Sequence, residues 1–276
     1  MNHPLGGNKY FKLKYNLEKA KEEKAKTLIT FGGAYSNHLL ATSMAGKIGG
    51  FQTIGFVRGE ELQDKTRNPT LESCEKNGMT LKFLTREQYR NKNQIGFLDN
   101  IKEQFPDSFL IPEGGTNDLA IKGTEEILDF VGEKKSEYTH ICVASGTGGT
   151  ACGVLNSLEK HQKLLVFPAL LNTPEIQSFL TENSSNPNFE IVEGYQMGGY
   201  AKYCSKLITF VNGFKTKHKI DLDPIYVGKM MFGLFDLINT QKFQSPAKFL
   251  VIHSGGLQGK EGFNQELNKK NHTLLL

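Results

Sequence analysis

Lys9 stands in Gly6-Gly7-Asn8-Lys9-Tyr10, an amine with two glycines and an amide just before it. Glycine lets a backbone take unusual angles and come close to a ligand. An amine held there can form a Schiff base with an aldehyde. Gly-Gly also marks loops in general, and Lys9 alone reads equally as a solvated loop lysine. A second stretch, Ser145-Gly146-Thr147-Gly148-Gly149-Thr150, follows an apolar run and opens a helical pattern. Small residues at a strand-to-helix junction expose backbone N–H groups, and the helix N-terminus adds partial positive charge, so the junction suits a phosphate. Thr147 and Thr150 add hydroxyl donors. A third, Gly32-Gly33-Ala34-Tyr35-Ser36-Asn37-His38, has the same physics. Ser36 and Asn37 are good helix N-cap residues, and their other use is to hold a substrate carboxylate.

The 145–150 stretch also fits G-x-G-x-x-G/A through Gly146, Gly148 and Ala151, the pattern of a dinucleotide-binding oxidoreductase. That pattern wants an acid about 20 residues on to hold ribose. The next apolar run ends at Phe167-Pro168-Ala169-Leu170, and the first acid beyond it is Glu175. No G-x-x-x-x-G-K-[ST] is present, which argues against a nucleoside triphosphate. A phosphate site, a carboxylate site and a singular lysine together suggest pyridoxal phosphate acting on an amino acid.

Elements able to place these groups alternate along the chain. A helix is expected over Lys14–Lys24, then strands over Thr27–Phe31, Thr53–Val57, Thr80–Leu84 and Phe109–Ile111, with helices between. Asn117–Val131 reads as a helix, His140–Ala144 and Leu164–Phe167 as strands, Lys202–Lys215 and Val227–Thr240 as helices. Lys248–Ile252 reads as a final strand ending at His253-Ser254-Gly255-Gly256. Strand–helix alternation gives an α/β fold of parallel sheets with helices on both faces. Ligands bind such folds at the C-terminal ends of the strands, where the glycine-bearing turns fall.

The 276 residues suffice for one large or two small domains, and a net charge of +4 with lysines interleaved among glutamates gives no nucleic-acid surface. The cysteines Cys74, Cys142, Cys152 and Cys204 have no CxxC spacing, so a reducing compartment without zinc or disulfides is expected. No run has transmembrane length and no signal-peptide pattern opens the chain. We expect a cytoplasmic protein.

Six segments in register carry a resemblance. They are Gly6-Gly-Asn-Lys9 with Lys12-Leu-Lys-Tyr15, Phe31–His38, Pro112-Glu-Gly-Gly-Thr-Asn117, Ser145–Thr150, Asp223-Pro-Ile-Tyr-Val-Gly-Lys229 and His253-Ser-Gly-Gly256. Together they resemble the 1-aminocyclopropane-1-carboxylate deaminase / D-cysteine desulfhydrase family, fold-type-II pyridoxal-phosphate enzymes related to the tryptophan synthase β subunit. The resemblance implies two open-twisted parallel-sheet domains with the cofactor in the cleft between them. Residues 12–120 would form the smaller domain, and 1–11 with 121–276 the larger. A homodimer is implied as well.

By residue, the resemblance makes Lys9 the lysine that holds the cofactor covalently, preceded by Asn8. Ser36, Asn37 and His38 become the carboxylate turn, with Asn37 also near the cofactor's 3′-oxygen. Thr147, Gly148, Gly149 and Thr150 become the phosphate cradle. Tyr226 lies beside the cofactor ring and substrate, and Ser254 faces the pyridine nitrogen. Tyr195 and Tyr200 either shape the pocket or pack as ordinary aromatics. No metal is expected. His253 reads as a strand-end residue, and Glu113 as a turn or cap residue.

Two departures point to the desulfhydrase branch. The deaminase branch has a glutamate after the Tyr226 equivalent, where this chain has Val227, and a glutamine before the serine of the turn, where this chain has Tyr35. The expected reaction is elimination from D-cysteine to pyruvate, hydrogen sulfide and ammonia, with Lys9 as base, Ser36 and Tyr226 beside the reacting groups, and a small amino acid as the substrate; neither nucleic acid nor membrane is an expected partner. The alternatives are cyclopropane deamination, another β-substituted amino acid, a dinucleotide-dependent oxidoreductase and an inactive cofactor-binding protein. Family members carry a few dozen residues before the Gly-Asn-Lys motif, against Met1–Leu5 here, so either the sequence starts short or this member lacks an edge strand of the larger domain.

Overall fold

The computed structural model describes residues 5–276. The chain divides into two compact units, Met1–Ala120 and Ile121–Leu276. In chain order the first part holds α1 (Gly7–Glu22), β1 (Thr27–Gly32), α2 (Asn37–Gly49), β2 (Gln52–Arg58), α3 (Pro69–Lys76), β3 (Met79–Leu84), α4 (Arg86–Arg90), α5 (Ile95–Gln104) and β4 (Ser108–Ile111). Then follow α6 (Asp118–Glu125), β5 (His140–Ser145), α7 (Gly149–Asn156), β6 (Lys163–Pro168), α8 (Thr173–Asn183) and β7 (Phe189–Ile191). The chain continues with α9 (Ser205–His218), α10 (Val227–Asn239), β8 (Phe249–Val251) and α11 (Lys260–Lys269).

Each unit is built on one four-stranded parallel sheet, ordered β3-β2-β1-β4 in the first and β7-β6-β5-β8 in the second. Every residue of β1 is buried, as expected of a central strand covered on both faces. Its neighbours pair in register, Thr27 with Gln52 and with Ser108. In the second sheet β5 is central, pairing His140 with Lys163 and with Phe249. Apolar clusters fill both faces of that sheet. Cys142, Leu165, Val227 and Met230 lie in one, and Ile141, Val143, Leu164 and Val166 in the other. Alternate residues of the same strands thus face opposite cores.

The α/β expectation holds in both units. Three placements differ from the sequence reading. The first helix begins at Gly7, not Lys14, so Lys9 stands on the first turn of a helix rather than in a loop. The two glycines do not stop it: Gly6 is the N-cap and Gly7 the first residue, both with φ of 52°. The helix expected over Asn117–Val131 gives way after Glu125 to 3-10 turns with a break at Gly132. Residues 5–11, expected with the larger domain, fall in the first unit. The reason is continuity: α1 is one helix whose Leu13 and Ala20 pack with Leu28 of β1 and Ala41 of α2. Residues 1–4 of that expected segment lie outside the described residues. Among the described residues no helix is long and apolar enough to cross a membrane.

Candidate active site

In the first unit the chemistry gathers where α1, α2 and the turn after β4 meet. Lys9 keeps part of its surface open, yet protein surrounds the amine closely enough that desolvation lowers it to about 8. No acid occupies the first turn of α1 to offset this. One turn on, Lys12 is 2% exposed. Its Nζ donates to the Gly114 carbonyl and to Thr116 Oγ1, each at 2.9 Å. Burial, and then the charge of Lys9, hold the Lys12 amine well below the ordinary lysine value.

His38 completes this basic group. Its Nε2 lies 2.8 Å from Thr30 Oγ1. The single Thr30 hydroxyl hydrogen goes to the Ile111 carbonyl, also at 2.8 Å. The histidine must therefore be the donor in the first contact, which assigns the proton to Nε2 and leaves Nδ1 bare. Among the described residues Nδ1 has no hydrogen-bond partner. Burial, then the charges of Lys9 and Lys12, push the imidazole well below its ordinary value, with the backbone at Pro112 opposing them. His38 is thus a neutral imidazole, 2% exposed. The expected carboxylate turn therefore presents Ser36 and Asn37, while His38 points inward.

Ser36 caps α2, its Oγ accepting the Leu39 amide at 3.2 Å. That leaves the hydroxyl hydrogen for an external acceptor. The Gly32–Asn37 turn is close-packed, since a Cβ on Gly32 would come within 2.6 Å of Ser36 Oγ. Glu113 accepts the Tyr89 hydroxyl at 2.6 Å and pairs with Lys92 at 3.0 Å. Its partners are thus a tyrosine and a lysine from α4 and the loop after it, and among the described residues it makes no cap.

In the second unit the 145–150 stretch joins β5 to α7. Gly148 is the N-cap at φ 87°, and no side chain caps the helix. A helix start of this kind is suited to an anion. A Cβ on Gly148 would meet Phe179 Cδ1 at 2.7 Å, so the loop leaves space only for glycine. Asn172 steadies it from behind, donating to the Gly146 carbonyl at 2.9 Å. Among the described residues, two buried polar atoms at this junction, Ser145 Oγ and Asn172 Oδ1, have no hydrogen-bond partner.

Tyr226 joins this loop. A Cβ on Gly146 would lie 3.3 Å from Tyr226 Cε1, so the ring rests on the loop backbone. Tyr200 meets Tyr226 edge-on, with centroids 6.4 Å apart. Tyr195 instead donates to Asp236 Oδ2 at 2.7 Å and packs on Gly233, about two turns along α10 from Tyr226. Ser254 follows β8 on a turn continued by Gly255 and Gly256 at positive φ. His253 pins that turn, donating through Nε2 to the Asp221 carbonyl at 2.8 Å and accepting the Gly255 amide on Nδ1 at 3.2 Å. Both ring nitrogens are spent, so it is no free base.

A pyridoxal-phosphate dependent enzyme family model matches residues 1–255. The chain belongs to this family. The bifunctional D-cysteine desulfhydrase/1-aminocyclopropane-1-carboxylate deaminase of Arabidopsis thaliana is 28% identical, covering 92% of this chain and 70% of its own. The D-cysteine desulfhydrase of Klebsiella pneumoniae (strain 342) is 26% identical over 91% of this chain and 83% of its own. A solved 1-aminocyclopropane-1-carboxylate deaminase homologue superposes with TM-score 0.80 at 25% identity, over 96% of this chain and 84% of that one. The cofactor is pyridoxal phosphate, and the fold is that of the type-II enzymes.

The residues present fit the group. An amine lowered to about 8 can be neutral and nucleophilic at ordinary pH. A helix start with no side-chain cap, beside a buried Ser145 hydroxyl that can donate, suits a phosphate. Sequence reading missed Lys12, Asn172, Asp223 and Lys229 as contributors. Lys12, Asp223 and Lys229 stood inside quoted motifs, but their sequence carried no sign that they are buried. Asn172 lay in no motif.

Proposed function

We propose that this pyridoxal-phosphate lyase removes hydrosulfide from a β-thiol amino acid, with D-cysteine as substrate. Water enters, and pyruvate, hydrogen sulfide and ammonia leave, which balances the atoms. The observation that carries the choice is Val227. It is 1% exposed in an apolar cluster, and its amide donates to Asp223 Oδ2 at 2.9 Å. Where the deaminase branch has a glutamate, this chain has a hydrocarbon that can neither donate nor accept.

Bound pyridoxal phosphate supplies an electron sink for the electrons of the Cα–H bond. Lys9 would hold its aldehyde carbon, Thr147–Thr150 its phosphate, and Ser254 would meet its ring nitrogen. Ser36 and Asn37 would take the substrate carboxylate, Ser36 through the hydrogen left over from its capping role. Lys9 Nζ, neutral in a useful fraction near pH 8, accepts the α-proton. Ser254 is a weaker partner for a ring nitrogen than a carboxylate is. That favours a reaction in which a good leaving group, thiolate, removes the charge quickly.

The bifunctional name of the Arabidopsis relative makes cyclopropane deamination the second reading. Sulfide release from D-cysteine and L-cysteine, and pyruvate release from D-serine, set beside ammonia release from the cyclopropane acid, separate the two. D-cysteine turnover well above cyclopropane turnover is expected, and the reverse order overturns the reading. Lys9→Ala must lose both the visible absorbance of the bound cofactor and turnover.

A further inference from the structure

Lys229 lies in the same motif as Tyr226 but reaches the other way. It is 2% exposed, near the start of α10. Its Nζ donates to the carbonyls of Gln196 and Gly199 at 2.7 Å each, and to that of Ala169 at 3.4 Å. Three carbonyls use the three hydrogens of an ammonium. Two of those carbonyls belong to one loop.

That loop, residues 194–201, is unusual in its backbone. Gly194, Met197, Gly198, Gly199 and Ala201 have φ of 92°, 55°, 87°, 109° and 55°. Met197 and Ala201 lie in the left-handed region without being glycine. Such residues persist only where surrounding contacts over-determine them. The loop's own bonds are few. Gly194 N–H reaches Gln196 Oε1 at 2.9 Å, and Gly199 N–H reaches the Gln196 carbonyl at 3.0 Å. The next residue after Gly199 is Tyr200, whose ring meets Tyr226.

We propose that Lys229 is a positioning residue: it holds the 194–201 loop, by its carbonyls, in the shape that sets Tyr200 against Tyr226, and so governs amino-acid fit without touching the substrate. This rests on the reading of Tyr226 as a residue beside the substrate. Burying an ammonium among uncharged carbonyls is unfavourable on its own, and desolvation lowers the amine to about 8, with the Asp223 carboxylate opposing. An aliphatic side chain would fill the same volume without that penalty, but it could not gather three carbonyls.

The test uses the holoenzyme and its Lys229→Met variant. Amide exchange over 194–201 is expected to quicken at least about tenfold, with β5 and β6 protected as before. KM for the amino acid is expected to rise roughly 10-fold or more, with kcat changed far less and the visible cofactor absorbance kept. A variant with unchanged loop exchange and unchanged KM overturns the proposal. So does one in which kcat falls while KM holds. Should Lys229→Met not fold, Gly198→Ala replaces it. A Cβ there meets nothing nearer than Lys202 Cβ at 3.7 Å, so only the φ of 87° is strained. The same signature is expected, and a wild-type KM overturns the proposal. If the wild-type enzyme binds no cofactor and turns nothing over, the functional reading fails. Loop exchange in Lys229→Met then judges the hold of Lys229 alone.

Discussion

The Asp223 carboxylate accepts the amide of Tyr226 at 2.7 Å, so an acid three residues upstream sets where an aromatic ring of the site begins. The same carboxylate takes the amides of Ile225 at 3.0 Å and Val227 at 2.9 Å. Burial raises its pKa above the ordinary carboxylate value, while these three amides pull the other way. Removing the carboxylate strands three donors at the start of α10. Asp223→Ala should cost about 2 kcal/mol of stability, seen as a lowered thermal midpoint. Its KM should also rise, because the ring loses its mooring on Gly146. Asp223→Asn keeps one acceptor and should lie between.

Much of this was legible in the sequence, for definite reasons. β1 and β5 are continuous apolar runs because central parallel strands are buried on both faces. Ser36 declared itself as a cap, and does cap. The helical setting of Lys9 was not legible, since Gly6-Gly7 reads as a loop whether or not a helix begins within it. The inward turn of His38 depends on Thr30 and Ile111, residues 8 and 73 positions away in the chain, and no local pattern encodes that. The anchoring role of Lys229 likewise needs three carbonyls from two distant loops.

Gly148 tests the phosphate cradle. Alanine there would bring Cβ within 2.7 Å of Phe179 at a φ of 87°. Strain and clash together should destabilise by about 1–3 kcal/mol. Affinity for inorganic phosphate and for the cofactor should fall together. Titration by absorbance and by calorimetry measures both, and unchanged affinities would place the phosphate elsewhere.

Gly115 abuts the bare face of His38, where a Cβ would lie 2.9 Å from Cε1 and 3.2 Å from Nδ1. Gly115→Ala must displace an imidazole that Thr30 holds at 2.8 Å. A stability loss of about 2 kcal/mol is expected, with the histidine proton resonance shifted. His38→Gln, which retains a donor toward Thr30, should lose less than His38→Leu, which leaves Thr30 Oγ1 with no N–H donor at that position.

Lys9 makes the sharpest pH prediction. Its amine is lowered to about 8 by desolvation, against 10.5 for an ordinary lysine. At pH 7 roughly a tenth of the molecules then carry a neutral Lys9, where an ordinary lysine would give a few in ten thousand. The rate at which cofactor-free protein takes up pyridoxal phosphate should therefore climb to about pH 8 and level off there. A rate still climbing toward 10.5 would mean that Lys9 is not the attachment point. The sign for stability follows from proton binding. Between about 8 and 10.5 the unfolded chain binds more protons at this residue than the folded one does, so raising pH favours the folded state. The penalty of burying the charged amine is complete below about 8 and fades toward 10.5. Unfolding of the cofactor-free protein, compared with Lys9→Ala across that range, should show wild type gaining on the variant as pH rises.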